Sequence, residues 1–208
     1  MAAAASEALK ARYGEPHRRY HAWAHIEACL AELDQLHGLD GRERRLLEYA
    51  LWWHDAVYDP RRGDNEEQSA ELARTELAGL GEPVEVRDEV ARLILLTKGH
   101  EVGPGDRLGA LLVSIDLAIL GAPDEAYRAY AAAVREEYAF VPEDAFRAGR
   151  AAILGRILAS PAIYPDPAFA ARLEQRARAN LAAEIERLTS PSHAAEHSRL
   201  RAPPAGSR

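Results

Sequence analysis

The chain has 208 residues, of which 26 are Lys or Arg and 33 are Asp or Glu, so its formal net charge is −7. This length fits one domain better than two and is enough to bury roughly 70% of the unfolded surface. The acidic balance argues against a general nucleic-acid or membrane surface, because both need a basic patch to meet phosphate. It does not exclude a small phosphorylated ligand, which a few placed cations can bind.

The cysteine content and the length of the apolar runs indicate the compartment in which the protein is expected to work. The single cysteine, Cys29, excludes an intrachain disulfide and fits a reducing cytoplasm. No run approaches the ~18 consecutive apolar residues that a membrane span needs. The start, MAAAASEALKAR, lacks a basic segment followed by an apolar block, so we interpret it as an Ala-rich helix and not as a secretory signal. We therefore expect a cytoplasmic protein whose partners include neither a membrane nor a nucleic-acid polymer.

Apolar residues recur at helical spacing almost throughout the chain, and no long run has the alternation of a strand. After a short first helix, Asp64 and Glu67 have the pattern of a capping box at the head of the fourth helix. Pro123 and Pro142 stand where proline suits a first helical turn. The helices that follow the first are predicted at about 22–37, 41–57, 64–80, 84–97, 106–120, 123–139, 142–159 and 166–189.

We predict an all-α protein, a single-domain bundle of about eight or nine helices over residues 1–188. Residues 189–208 are rich in Pro, Ser, Ala and Arg and almost free of apolar residues, so we expect a disordered tail. His193 and His197 in this tail are four residues apart, but nothing fixes a helix there, and we assign them no metal.

The stretch LWWHDAVYD places His54 and Asp55 near the end of an apolar helix. A carboxylate in such surroundings is costly unless it is paired or bound to a metal. At a helix end, where side chains diverge by about 100° per residue, adjacent His and Asp can give one nitrogen and one oxygen to the same cation. Alone the dipeptide is a weak signal, because a buried histidine bonded to its neighbour would explain it as well.

Two further residues strengthen the metal interpretation. His25 lies at the head of the preceding helix, and an antiparallel pair of helices would bring it to the His54 end. Asp116 has apolar neighbours one helical turn away on both sides and no basic residue nearby in its own helix, so it needs a cation from elsewhere. A helix cap or a polar network is the alternative for Asp116.

The pattern His25, His54-Asp55 and Asp116 resembles the HD superfamily of metal-dependent phosphohydrolases. The surrounding residues are similar to one bacterial branch, described as predicted HD-superfamily metal-dependent phosphohydrolases. The resemblance covers roughly residues 12–188. The segments that carry it are YGEPHRRYHAWAHI (13–26), WHDAVYDPRRGDNEEQSA (53–70), TKGH (97–100), DLAILG (116–121) and EQRARANL (174–181).

The resemblance implies an HD-domain helical bundle around one divalent metal ion held by His25, His54, Asp55 and Asp116. Two imidazoles and two carboxylates suit Mn, Fe, Co, Ni, Zn or Mg, among which the sequence does not select. Such an ion would lower the pKa of a bound water and stabilise charge developing on phosphorus. We therefore expect a hydrolase that acts on a small phosphate ester or anhydride, with a nucleotide as the first choice.

The sequence defines the general acid or base less clearly than the metal ligands. Several HD nucleotidases have a glutamate three residues after the HD aspartate, whereas this chain has Tyr58 there. Besides Asp55, this leaves Asp59, Glu66 and Glu67 as catalytic candidates, although helix capping would equally explain the two glutamates. The candidates for contact with substrate are Lys98, His100, His21, Arg18 and Tyr58. For Lys98 and His100 a solvated helix end is an equal alternative.

Other interpretations stay open at this point. A di-iron oxygenase would need further histidines, for which His100 and His21 are available. A module that binds metal and nucleotide without turnover is favoured by the absence of the usual glutamate, and a homodimer is conceivable. Arg147, Arg150, Glu174 and Arg178 are predicted to form an Arg–Glu network between the last helices, and Asn180 a buried hydrogen bond.

Overall fold

Nine α-helices and one short 3₁₀ helix make up the regular structure of residues 3–190, the part of the chain that the computed structural model describes. No strand occurs among these residues, so the all-α prediction is confirmed. From residue 191 on, the predicted tail with His193 and His197 lies outside the described residues. The helices are α1 Ala3–Tyr13, α2 Trp23–Asp34, α3 Gly41–Trp53, α4 Asn65–Gly79, α5 Val84–Leu96, α6 Arg107–Asp116, the 3₁₀ helix Leu117–Gly121, α7 Asp124–Glu137, α8 Glu143–Ala159 and α9 Pro167–Thr189.

Helix α3 lies at the centre of the bundle and contacts α2, α4, α5 and α6. It begins at a capping box: Asp40 Oδ1 accepts from the backbone of Arg42 and Glu43 at 2.8 and 2.7 Å, and the Glu43 carboxylate accepts from the Asp40 N–H at 3.0 Å. Its apolar side chains are buried on several faces, so the helix is enclosed by its neighbours. The helix ends at Trp53, which leaves His54 at the C-terminal cap and Asp55 in the turn that follows.

Helix α2 packs on α3 and has its start beside the end of α3. The two helices therefore form the predicted antiparallel pair, with the short connection 35–40 at the opposite end. The buried stripe of α2 includes His25, Ile26, Cys29 and Leu33. This arrangement brings the head of α2 to the HD dipeptide.

The start of α4 differs from the prediction, because Asp64 makes no cap hydrogen bond to the helix. Its carboxylate instead accepts from Nε and Nη2 of Arg62 at 2.8 and 2.7 Å, and the Glu67 carboxylate pairs with Lys98. A charged guanidinium two residues away is a stronger partner than a neutral backbone N–H. The capping box predicted for Asp64 and Glu67 is therefore wrong.

The helix predicted over 106–120 is also not continuous. It is α-helical to Asp116 and then tightens into the 3₁₀ helix Leu117–Gly121. Asn180 of α9 donates from Nδ2 to the carbonyl oxygens of Leu120 and Ala122 at 2.8 and 3.0 Å, which satisfies the end of this helix. The buried hydrogen bond predicted for Asn180 is confirmed.

Helices α8 and α9 pack against each other, and the Arg–Glu network predicted between them is formed only in part, because Arg150 pairs with Glu184 and not with Glu174. Arg178 donates to Glu174 at 2.7 Å, and Arg150 donates to the buried Glu184 at 2.9 Å. Arg147 binds backbone carbonyls at the end of α9. Among residues 3–190, no helix has the length and apolar character needed to cross a membrane.

Candidate metal centre

Four side chains bring a nitrogen or an oxygen to one point between α2, α3 and α6. The Nε2 atoms of His25 and His54 lie 3.1 Å apart. Asp116 Oδ1 is 3.2 Å from His25 Nε2 and 3.5 Å from His54 Nε2. Asp55 Oδ2 is 3.2 Å from His54 Nε2 and 3.8 Å from His25 Nε2. The structure thus brings together the four residues that the sequence proposed as metal ligands.

The orientation of the His54 ring is fixed by a hydrogen bond of Nδ1, the nitrogen that faces away from the other donors. Its Nδ1 lies 3.0 Å from the carbonyl oxygen of Leu51, one of the carbonyls that the end of α3 leaves free. Nδ1 therefore carries a proton, and Nε2 is the nitrogen that faces the other donors. Metal-binding histidines in proteins are commonly held in this way.

Asp116 is held by His100, whose Nε2 lies 3.1 Å from Asp116 Oδ2. His100 has a φ of 57°, in the left-handed region that is uncommon for residues other than glycine. This backbone conformation costs about 1–3 kcal/mol, and glycine would adopt it more easily. The imidazole of His100 therefore holds its place beside Asp116 at a cost in backbone strain. Oδ1 of Asp116 is left facing the two imidazoles.

The charges of these groups are strongly coupled. Burial disfavours the charged form of His54, but Asp55 and Asp116 outweigh that effect and raise its pKa well above the ordinary value. Burial also disfavours ionised Asp55 and Asp116, yet the neighbouring histidines lower the pKa of both carboxyl groups. Two half-buried carboxylates therefore share this space only with positive charge beside them, whether an imidazolium or a metal cation.

The spacing of the donors fits a cation. Ligand atoms that each lie about 2.1 Å from one ion are about 3 Å apart at adjacent octahedral positions and about 3.4 Å apart in a tetrahedron. Three of the separations between these donors, at 3.1–3.2 Å, lie in this range, and two more, at 3.5 and 3.8 Å, lie slightly above it. Two nitrogens and two carboxylate oxygens are also a donor set that borderline divalent metals accept. The residues present therefore fit the metal that the resemblance implies.

Cys29 forms a second potential donor group with His25 and Asp116. Its Sγ lies 3.7 Å from His25 Nε2, one helical turn further along α2. Burial, with the charges of Asp116 and Asp55, raises the pKa of this thiol well above its usual value. The Cys29 thiol packs against the His25 ring.

A cleft of about 520 Å³ lies beside the donors and is lined by two of them, Asp55 and Asp116. Glu66, Lys98, His100 and His21 also line it. Six of the predicted site residues therefore line one cavity: Asp55, Asp116, Glu66, Lys98, His100 and His21. Glu67 is not among the lining residues; it pairs with Lys98 at the exposed surface.

Three further predicted site residues, besides Glu67, lie outside this cleft. The Tyr58 side chain is buried and donates to Glu137 at 2.9 Å. The Arg18 side chain is fully buried and donates to the carbonyl oxygens of His21, Asp55 and Ala56 at 2.9, 2.7 and 3.2 Å. Arg18 therefore supports the turn that carries Asp55 and Ala56, and neither side chain lines the cleft in which substrate contact is predicted. Asp59 lines a separate surface pocket and not this cleft.

The sequence did not point to Glu137, which organises the approach to His25. One oxygen of its buried carboxylate accepts from the backbone N–H groups of Arg19, Tyr20 and His21 at 2.7–2.9 Å. The other accepts from His21 Nδ1 at 2.7 Å and from the Tyr58 hydroxyl. Burial opposes its ionisation, but these bonds lower the pKa of Glu137 to about 2. Its position at the end of an amphipathic helix gives no sign of this role.

Comparison with protein-family models, with curated proteins and with solved structures found no match. The resemblance to HD phosphohydrolases therefore depends on the motif residues and on the arrangement that they adopt here.

Proposed function

We propose that this protein is a metal-dependent phosphohydrolase of the HD type. The observation that carries the proposal is the convergence of His25, His54, Asp55 and Asp116 beside an open cleft that Asp55 and Asp116 line. A purely structural polar cluster would have no need of a cavity beside it, since burial in a closed core would serve equally well.

The chain's own residues would prepare the site for a divalent cation. The four donors would hold the ion, whose charge would polarise the phosphate and make water more acidic. His54 is kept in the right tautomer by the Leu51 carbonyl, and Asp116 is oriented by His100. Because these contacts exist among the protein groups alone, little reorganisation would be needed when substrate arrives.

Lys98 and His21 would act on the substrate side. The Lys98 ammonium stands at the edge of the cleft, where its positive charge would attract a phosphate. His21 donates a hydrogen bond from Nδ1 to the Glu137 carboxylate, so its Nε2 is the nitrogen available to the cleft. Burial opposes protonation of His21, but its hydrogen bond to Glu137 and the nearby carboxylates raise its pKa. A protonated Nε2 would donate to the leaving-group oxygen, while Glu66 would orient or deprotonate the attacking water.

The central experiment combines metal analysis with a hydrolysis screen of nucleotides and phosphomonoesters. We expect Asp55→Ala to lose bound metal and to reduce hydrolysis by at least about 100-fold, since even the residues that support metal ligands are worth 10- to 100-fold. Asp88→Asn is the matched control, because the Asp88 side chain is 59% exposed and pairs with Arg74 on the surface. If Asp55→Ala keeps both full metal content and full activity, the proposal is wrong.

A further inference from the structure

The wall of the cleft that faces the candidate metal ligands is apolar and aromatic. It is built from the end of α7, the start and middle of α8 and the turn between them. The side chains are Tyr130, Val134, Tyr138, Val141, Phe146 and Ile153. Tyr138 and Phe146 have ring centroids 6.3 Å apart. Hydrolysis of a phosphate group needs none of these residues, so the wall is suited to contact the organic group of the substrate.

One charged residue, Arg150 of α8, lies within this apolar wall. Its guanidinium carbon is 5.1 Å from the centre of the Tyr130 ring, and its side chain is 10% exposed. Tyr130 contacts Tyr20 at 4.5 Å between ring centres, and Tyr20 contacts His25 at 4.8 Å. Two aromatic rings therefore separate Arg150 from the metal ligands.

The hydrogen bonding of Arg150 is incomplete. Its Nε donates to Glu184, but its buried Nη2 has no acceptor within the described residues. A buried donor without a partner is destabilising, and because Arg150 lines the cleft, an acceptor on a bound ligand would relieve this cost. Arg147, one turn earlier on α8, differs: its guanidinium binds the carbonyl oxygens of Arg187 and Leu188 at 3.0 and 2.8 Å and lines a different pocket.

We propose that the cleft selects phosphate esters whose organic group is a flat ring with an oxygen acceptor at its far end, and that Arg150 donates to this acceptor. The ring packs against the apolar and aromatic wall, as flat groups commonly do in binding sites. A carboxylate or carbonyl suits the guanidinium, whose planar donors match such oxygens. The phosphate end of this assignment rests on the proposed function, whereas the Arg150 end does not.

Two phosphate esters test the proposal: 4-carboxyphenyl phosphate and phenyl phosphate. We expect wild type to hydrolyse the first with a kcat/KM about 10- to 100-fold above the second, the value of a hydrogen bond to a charged group. Arg150→Gln should abolish this preference, so that the two aryl phosphates are hydrolysed with the same kcat/KM. Arg147→Gln should keep the preference, because its guanidinium is already bonded to α9. Equal kcat/KM values for the two aryl phosphates in wild type would overturn the proposal.

A binding measurement separates this proposal from the proposed function. By calorimetry on the protein as purified, 4-hydroxybenzoate should bind at least about tenfold more tightly than phenol, and Arg150→Gln should remove the difference. If this holds while no phosphate ester is hydrolysed, the subsite stands and the hydrolase assignment fails. If esters are hydrolysed without regard to the carboxylate and 4-hydroxybenzoate gains nothing from Arg150, the subsite is wrong and the hydrolase assignment stands.

Discussion

Single side chains beyond the four metal-ligand candidates determine how well the site is held. Glu137 is the clearest case, since its carboxylate accepts five hydrogen bonds, three of them from the backbone just before α2. It thereby fixes the path of the chain into His25 and also orients His21. A buried carboxylate with this many donors keeps its charge at a much lower pH than a carboxylate in water.

We expect Glu137→Gln, which keeps the size of the side chain, to lower the free energy of unfolding by about 2–3 kcal/mol at pH 5. The folded-state pKa of Glu137, about 2, lies below the ordinary value of 4.5. Its ionisation therefore adds stability above pH 4.5, and this contribution is lost as the pH falls towards 2. Denaturant unfolding at pH 5 and pH 3, where His21 stays protonated, should show the gap between wild type and variant narrowing.

The control for this measurement is Glu136→Gln, the neighbouring residue. The Glu136 side chain is 65% exposed and pairs with Arg19 at the surface, so its loss should cost under about 1 kcal/mol. A gap between wild type and Glu137→Gln that is the same at both pH values would contradict the assignment of the depressed pKa.

Sequence patterns predicted the metal ligands better than their supports. His25, His54 and Asp116 could be found because each is a polar residue on an apolar helical stripe, which is a local property. The interactions of Glu137 and of Arg150 join residues more than 30 positions apart in the sequence, so no pattern within one helix reveals them. Tyr58 and Arg18 lie near the motif and were assigned to substrate on that basis, although both side chains turn into the protein.

At the scale of elements, the 3₁₀ helix after α6 determines where Asp116 sits. It follows Asp116 directly and packs on α9 through Gly121. A Cβ added at Gly121 would lie 2.7 Å from the Leu173 Cβ and 3.0 Å from the Leu173 carbonyl oxygen. Helical periodicity predicted this segment as part of one helix because the tightening arises from contact with α9, and the spacing of apolar residues carries no record of that contact.

We therefore expect Gly121→Ala to destabilise the fold by about 1–3 kcal/mol through overpacking, and to weaken metal binding because Asp116 must shift. Gly155→Ala is the matched control. Gly155 lies within α8, and a Cβ there would meet no atom within 4 Å. This control should raise stability by about 0.5–1 kcal/mol, the usual gain for alanine over glycine in a helix. Thermal or denaturant unfolding measures both, and an unchanged stability for Gly121→Ala would show that α9 yields to the added methyl group.

At the scale of the whole molecule, the candidate metal centre joins parts of the chain that are far apart in sequence. The donors come from the start of α2, the cap of α3, the turn after it and the end of α6. The all-α class and most helix bounds followed from apolar periodicity, whereas the junctions between these helices, where the donors meet, depend on tertiary contacts. A cation at this point would tie three helices together in the folded state only.

This arrangement predicts that a bound divalent metal stabilises the whole fold. At a free concentration of 100 times its Kd, the ion should raise the free energy of unfolding by about 2.7 kcal/mol, because the unfolded chain does not bring the donors together. Unfolding with Mn²⁺ and with EDTA measures this difference for wild type, Asp116→Asn and Asp88→Asn. The rise should persist in Asp88→Asn, whose carboxylate lies on the surface, and vanish in Asp116→Asn. An equal rise in all three proteins would mean that the ion binds weakly at the acidic surface and that the buried donors serve only to pair with one another.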